Sequence, residues 1–173
     1  MKRILCFAAL ALGLTAQAWA VGTCTVTNVS STQIASESNR LSDPETVIVT
    51  VACVADASAA TFPSVTIPLF GYYPTTYLNT YNLTGFILYQ VGRTPGGTAP
   101  TANYTTVITD SRGFNVDLGL LTTNGSAASP QLTAITTTGT SYPVIRGALT
   151  VQISANAVNS AVVTLDLVFR TRP

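Results

Sequence analysis

Apolar and polar residues alternate with a period of two through most of the chain, the pattern of strands that bury one face. In Thr46 to Cys53, the residues Val47, Val49, Val51 and Cys53 share a face. Gly147 to Ala155 places Leu149, Val151 and Ile153 on one side, against Thr150, Gln152 and Ser154. Val162 to Phe169 sets Val163, Leu165, Leu167 and Phe169 against Thr164 and Asp166, and Phe114, Val116, Leu118 and Leu120 alternate with Asn115, Asp117 and Gly119. Weaker runs at Cys24–Asn28, Val65–Phe70, Phe86–Val91, Tyr104–Thr109 and Leu132–Thr137 bring the expected strands to nine.

Turn-formers separate these runs: Ser42-Asp43-Pro44, Gly92 to Pro100, Asp110 to Gly113, Asn124-Gly125, Thr138-Gly139 and Asn156 to Ser160. Gly92 to Thr101 is the longest expected loop, exposed and mobile. No stretch carries an apolar period of 3.6, and Val54 to Ala60 allows at most a short helical turn. Short one-faced strands joined by short turns predict an all-β fold, an antiparallel β-sandwich or small barrel. An outer-membrane barrel is the rival, but it needs aromatic girdles and regular ten-residue strands. Here the aromatics bunch between Phe62 and Tyr89, which favours the sandwich.

The N-terminus breaks the alternation. Lys2 and Arg3 precede an apolar run, Ile4 to Leu14, and Ala18-Trp19-Ala20 follows as a small-x-small cleavage pattern. Residues 1–20 are expected to be a signal peptide, leaving residues 21–173 as a single exported domain, periplasmic, surface-bound or extracellular. The apolar run is too short for a membrane-spanning helix, and no transmembrane span is expected elsewhere. Removing the signal also removes Cys6, so Cys24 and Cys53 are left to form one disulfide.

Composition then narrows the chemistry. The chain has 173 residues, 47% of them apolar and only 9% charged, too ordered a composition for a disordered chain. Beyond residue 20 there are six arginines, no lysine and seven acids, a net charge of −1, which argues against a nucleic-acid partner. With no histidine in the chain, the commonest general base and metal ligand is missing. No Gly-x-Ser-x-Gly element and no calcium-loop spacing occurs, so neither an enzyme nor a cofactor or metal is expected. Arg93, Arg112 and Arg146 read as solvated loop charges, and the sequons at Asn28, Asn82, Asn103 and Asn124 as polar strands and turns.

Several of these features together resemble the spore coat protein U-like domain and, more broadly, the subunits of chaperone–usher pili. Cys24 lies in Thr23-Cys24-Thr25-Val26, close behind the expected cleavage point, and Cys53 closes the strand Val47 to Cys53. Phe86-Ile87-Leu88-Tyr89 is similar to a Leu-Tyr strand of that family, and Val163 to Phe169 to its last strand. The resemblance implies an immunoglobulin-like sandwich of Greek-key type that lacks a strand. Its groove would be filled by a periplasmic chaperone or another envelope or pilus-type subunit through strand addition. Val163, Leu165, Leu167 and Phe169 are then the candidate assembly strand. Only three residues separate the cleavage point from Cys24, too few for a donor strand, and Phe169 is followed by Arg170 to Pro173. The Phe-Gly-x-Tyr element expected after the first cysteine is found only beyond the second, at Phe70 to Tyr73. These departures suit a tip or terminal subunit better than a repeating one.

A second function class rests on the tyrosines. Tyr72, Tyr73, Tyr77 and Tyr81, interleaved with Thr and Asn, form a candidate binding patch for carbohydrate or an envelope partner. The two expectations are thus a structural or adhesive surface subunit that assembles by strand complementation, and a self-contained exported binding module.

Overall fold

A computed structural model describes residues 21–32, 46–73, 79–122, 125–136 and 142–171. The expected signal peptide, Tyr77, and the turns at Ser42-Asp43-Pro44 and Thr138-Gly139 lie outside the described residues, as does Asn124. Where the alternation is strictest the strands are long and regular. Thr46–Val54 (β2) and Val162–Arg170 (β10) each run nine residues and alternate buried with half-buried positions. Val47, Val49, Val51, Val163, Leu165, Leu167 and Phe169 have no exposed surface. Burying side chains of this size contributes about 1.5–3 kcal/mol each relative to exposure.

The ten strands among the described residues make two facing sheets and a hairpin. The larger sheet has the order β1 (Thr23–Thr32), β2, β10, β6 (Ile87–Pro95), β8 (Gln131–Ala134). The smaller has the order β3 (Val65–Ile67), β9 (Leu149–Ser154), β7 (Thr105–Asp110). Strands β4 (Phe70–Tyr73) and β5 (Asn79–Asn82) pair with each other. Every strand pairing is antiparallel, and among the described residues there is no helix. From β6 onward the chain alternates between sheets, so hydrophobic positions from both faces meet in one core. Ile67, Ile108, Leu149 and Val151 of the smaller sheet lie in it with Val49, Leu88, Val91 and Leu167 of the larger. This is the expected all-β, antiparallel, sandwich-like fold.

The Cys24–Cys53 disulfide joins directly opposed residues of β1 and β2, with Cα atoms 4.0 Å apart. Cys53 is fully buried and Cys24 packs against the core. The bridge therefore holds the start of β1 onto the end of β2.

Three expectations are corrected. Gly92 to Pro95 is not loop: β6 continues through it, because β10 offers a complete partner edge from Val163 to Arg170. Gly92 sits opposite Asp166, where a Cβ would come within 3.4 Å of the aspartate side chain. Arg93 points inward and is 1% exposed, so it is a core residue rather than a solvated charge. Its guanidinium reaches Thr133 Oγ1 at 3.2 Å and lies 5.9 Å from the Tyr104 ring. Burial lowers its pKa, the neighbouring Tyr104 opposing. Lastly, Phe114 to Leu120 is not a strand but a succession of turns, with Leu118 at φ 56° and Gly119 at φ 72°.

Candidate functional site

The turns after β7 give the surface its most distinctive chemistry. At the end of β7, Asp110 folds the chain back: its Oδ1 accepts the N–H groups of Arg112 (2.9 Å) and Phe114 (3.1 Å). Its backbone carbonyl accepts Gly113 N–H at 2.8 Å, and Gly113 takes φ 83°, a conformation that suits glycine. Arg112 returns to the same carboxylate, with Nε at 2.9 Å and Nη2 at 2.5 Å from Oδ2. Burial works to raise the Asp110 pKa. The hydrogen bonds from Arg112 and Phe114 outweigh it and hold the carboxyl below its ordinary value. Among the described residues this is the one ion pair.

From there the chain runs back along the outer side of β7. Asp110 N–H donates to Phe114 O (2.9 Å), Val116 N–H to Ile108 O (2.8 Å) and Thr106 N–H to Leu121 O (3.2 Å). Between them, Ile108 N–H donates to a side chain, Asp117 Oδ1, at 3.2 Å. Asp117 is fully buried, and its Oδ2 has no hydrogen-bond partner among the described residues. Burial pushes its pKa up, more than the Ile108 N–H lowers it. The turn segment therefore seals the β7 edge with one carbonyl at each end and a carboxylate in the middle. Irregular cover of this kind is a known defence of sheet edges.

Only Val116 and Leu121 of this segment's apolar residues turn into the core. Phe114 (62% exposed), Leu118 (39%) and Leu120 (36%) face outward, which the uniform alternation in the sequence concealed. Opposite lies the stretch 142–146, held by Ile145 N–H to Phe86 O (2.8 Å) and Gly85 N–H to Ile145 O (3.1 Å). Ile145 is buried, so its neighbours Val144 and Arg146 are turned out. Between the two stretches is a groove of about 500 Å³, lined by Arg112, Phe114, Leu118, Tyr142, Val144 and Arg146 among others. The Arg112 guanidinium lies over the Phe114 ring, 5.1 Å from its centre. Arg112 and Arg146 thus meet the expectation of surface charges and converge on one groove, which their separation in sequence did not signal.

The residues singled out from the sequence fall elsewhere. Tyr72 and Tyr73 belong to β4, Tyr81 to β5, and Tyr77 lies outside the described residues. Tyr81 is buried at 7% exposure, because its ring crosses the strand onto Gly71, where any Cβ would collide with it. Burial raises its pKa. It is a core residue and is removed from the surface patch; Phe70 of the same hairpin is 63% exposed. Val163, Leu165, Leu167 and Phe169 lie in β10, which is hydrogen-bonded to β2 on one side and β6 on the other. Both edges of β10 are used within the chain, so it has no edge to offer another subunit. Nor do the first and last strands border a gap, since β2 separates them.

Among the described residues no group of three or more His, Cys, Asp or Glu side chains is placed to hold a metal ion. No helix among them is long and apolar enough to cross a membrane. No protein-family model, no curated protein and no solved structure matches the chain.

Proposed function

We propose that the chain is an exported structural or adhesive subunit of the cell surface, joined to its neighbours by strand addition at β1. The observation that carries this reading is the inequality of the sheet edges. The β7 edge is sealed by the chain itself, while β3 and β8 have three and four residues. Strand β1 has ten, is the outermost strand of the larger sheet, and carries no further paired strand among the described residues. An added strand gains main-chain hydrogen bonds in proportion to the edge it meets, and side chains at alternate positions set selectivity. The disulfide keeps β1 docked while that edge is engaged. Export rests on the signal-like residues 1–20 and on the disulfide, which persists in oxidising compartments.

The test is light scattering of residues 21–173, oxidised, over a wide concentration range, beside a Thr25→Lys/Ser30→Lys variant. Both positions are exposed, so the fold should tolerate them, while lysines blunt edge pairing. Concentration-dependent association that the variant loses supports strand addition at β1. A monomer at every concentration supports the second reading, a self-contained binding module, which the two-sided pairing of β10 favours.

A further inference from the structure

We propose that the groove between the turn segment 110–118 and the stretch 142–146 binds an acidic saccharide, a short run of uronic acid residues. The proposal stands on segments other than β1 and holds whether or not the chain assembles. Its volume, about 500 Å³, falls in the range of about 300–1,000 Å³ usual for small-ligand sites.

Three groups of the groove match three parts of such a sugar. The first is apolar: Phe114 and Leu118 on one wall and Val144 on the other expose hydrophobic surface to the groove. An exposed ring offers a flat face to the C–H side of a pyranose. The second is cationic. Asp110 occupies Nε and Nη2 of Arg112, and Nη1 has no partner among the described residues. Arg146 is exposed and makes no ion pair among them. Asp110 also lines the groove and offsets Arg112. The groove thus keeps one net positive charge in a chain that is net negative beyond residue 20, a local attraction for a carboxylate, which a guanidinium recognises through paired N–H donors. The third is neutral and polar: Asn115 accepts Asp117 N–H with its Oδ1 at 3.2 Å and keeps its amide N–H groups for sugar hydroxyls.

An acidic peptide would satisfy the cations equally well, but peptides held at a sheet gain much of their affinity from a bare strand edge. Beside this groove that edge is closed, with Asp110 N–H, Ile108 N–H and Thr106 N–H all bonded inside the chain. What remains is a shallow, side-chain-lined surface with rings and charges, which suits a sugar acid.

The experiment is calorimetric titration of the oxidised chain with trigalacturonate, at low and high salt. Neutral galactotriose and a triglutamate peptide serve as comparisons. Arg146→Ala and Phe114→Ala are the variants, both at exposed positions and both checked by thermal melt; Arg146→Gln replaces the first if it melts early. The expected result is saturable binding of trigalacturonate that weakens with salt and falls by about tenfold or more in each variant, with galactotriose much weaker. No saturable binding, or binding that both variants leave intact, overturns the proposal. Triglutamate binding as tightly as trigalacturonate also overturns it and assigns the groove to acidic protein segments.

Discussion

The carboxylate of Asp117 stands where a main-chain carbonyl would pair with β7, which makes it a sharp point of perturbation. Asp117→Ala removes the acceptor of Ile108 N–H. Both residues are fully buried, so water does not replace the bond, and leaving such a donor unsatisfied costs about 1–3 kcal/mol. Asp117→Asn keeps an oxygen in place for Ile108 N–H, removes the charge and puts an amide NH2 where Oδ2 stood. Since burial raises the Asp117 pKa above its ordinary value of 3.8, the charged form is disfavoured in the folded chain. The asparagine variant, which keeps the acceptor of Ile108 N–H, should therefore be clearly more stable than the alanine variant. The linkage has a definite sign. The folded chain holds the Asp117 proton more tightly than the unfolded one, so this group destabilises at neutral pH. Its penalty is relieved as pH falls through the raised folded value toward 3.8. Urea unfolding of the three proteins between neutral and acid pH measures both effects. Relative to wild type, both variants should lose ground as pH falls, because only the wild type is relieved of the penalty. If the alanine and asparagine variants unfold at the same urea concentration throughout, the carboxylate does not serve Ile108 and the account of the sealed edge is refuted.

Other consequences are as direct. Reducing the disulfide, or replacing Cys24 and Cys53 by alanine, opens a loop spanning 29 residues; the chain-entropy account gives a loss of about 3–4 kcal/mol, and an unchanged urea midpoint would contradict it. Gly71→Ala places a methyl group against the buried Tyr81 ring and should cost about 1–3 kcal/mol by overpacking; a melt equal to wild type would show that the hairpin packs differently. Asp110, whose carboxyl lies below its ordinary value through its bonds to Arg112 and Phe114, contributes stability above pH 3.8 that is lost as pH falls through the lowered folded value. Asp110→Asn should accordingly flatten the acid limb of stability against pH, and an acid limb as steep as wild type would count against that pairing.

The parts of this fold legible in the sequence are those whose burial is decided locally by alternation. In β2, β9 and β10 each inward position is a valine, leucine, isoleucine, phenylalanine or cysteine, and the period alone identifies the faces. Phe114 to Leu120 shows how the same signal misleads. Residue type alternates there, but the chain turns at Leu118 and Gly119, and the buried residue between Val116 and Leu118 is an aspartate. That exchange is decided by Ile108, nine residues away, whose N–H needs an acceptor. Arg93 was hidden for a related reason. The glycine and proline around it read as loop, yet β10, some seventy residues later, extends β6 through Pro95 and turns the guanidinium inward. The groove shares this character. Arg112 and Phe114 come from one turn and Val144 and Arg146 from a distant stretch, and the pairing of β7 with β9, which sets Asp110 opposite Leu149, brings the two together.

The joining role of β1 is tested most directly by amide hydrogen exchange of the oxidised chain in dilute and concentrated solution. The account predicts that amides along Thr23 to Thr32 gain protection as concentration rises, while Thr106, Ile108 and Asp110 of the sealed edge are protected equally at both. Exchange in β1 that does not respond to concentration, with association carried by another edge or absent, would contradict it.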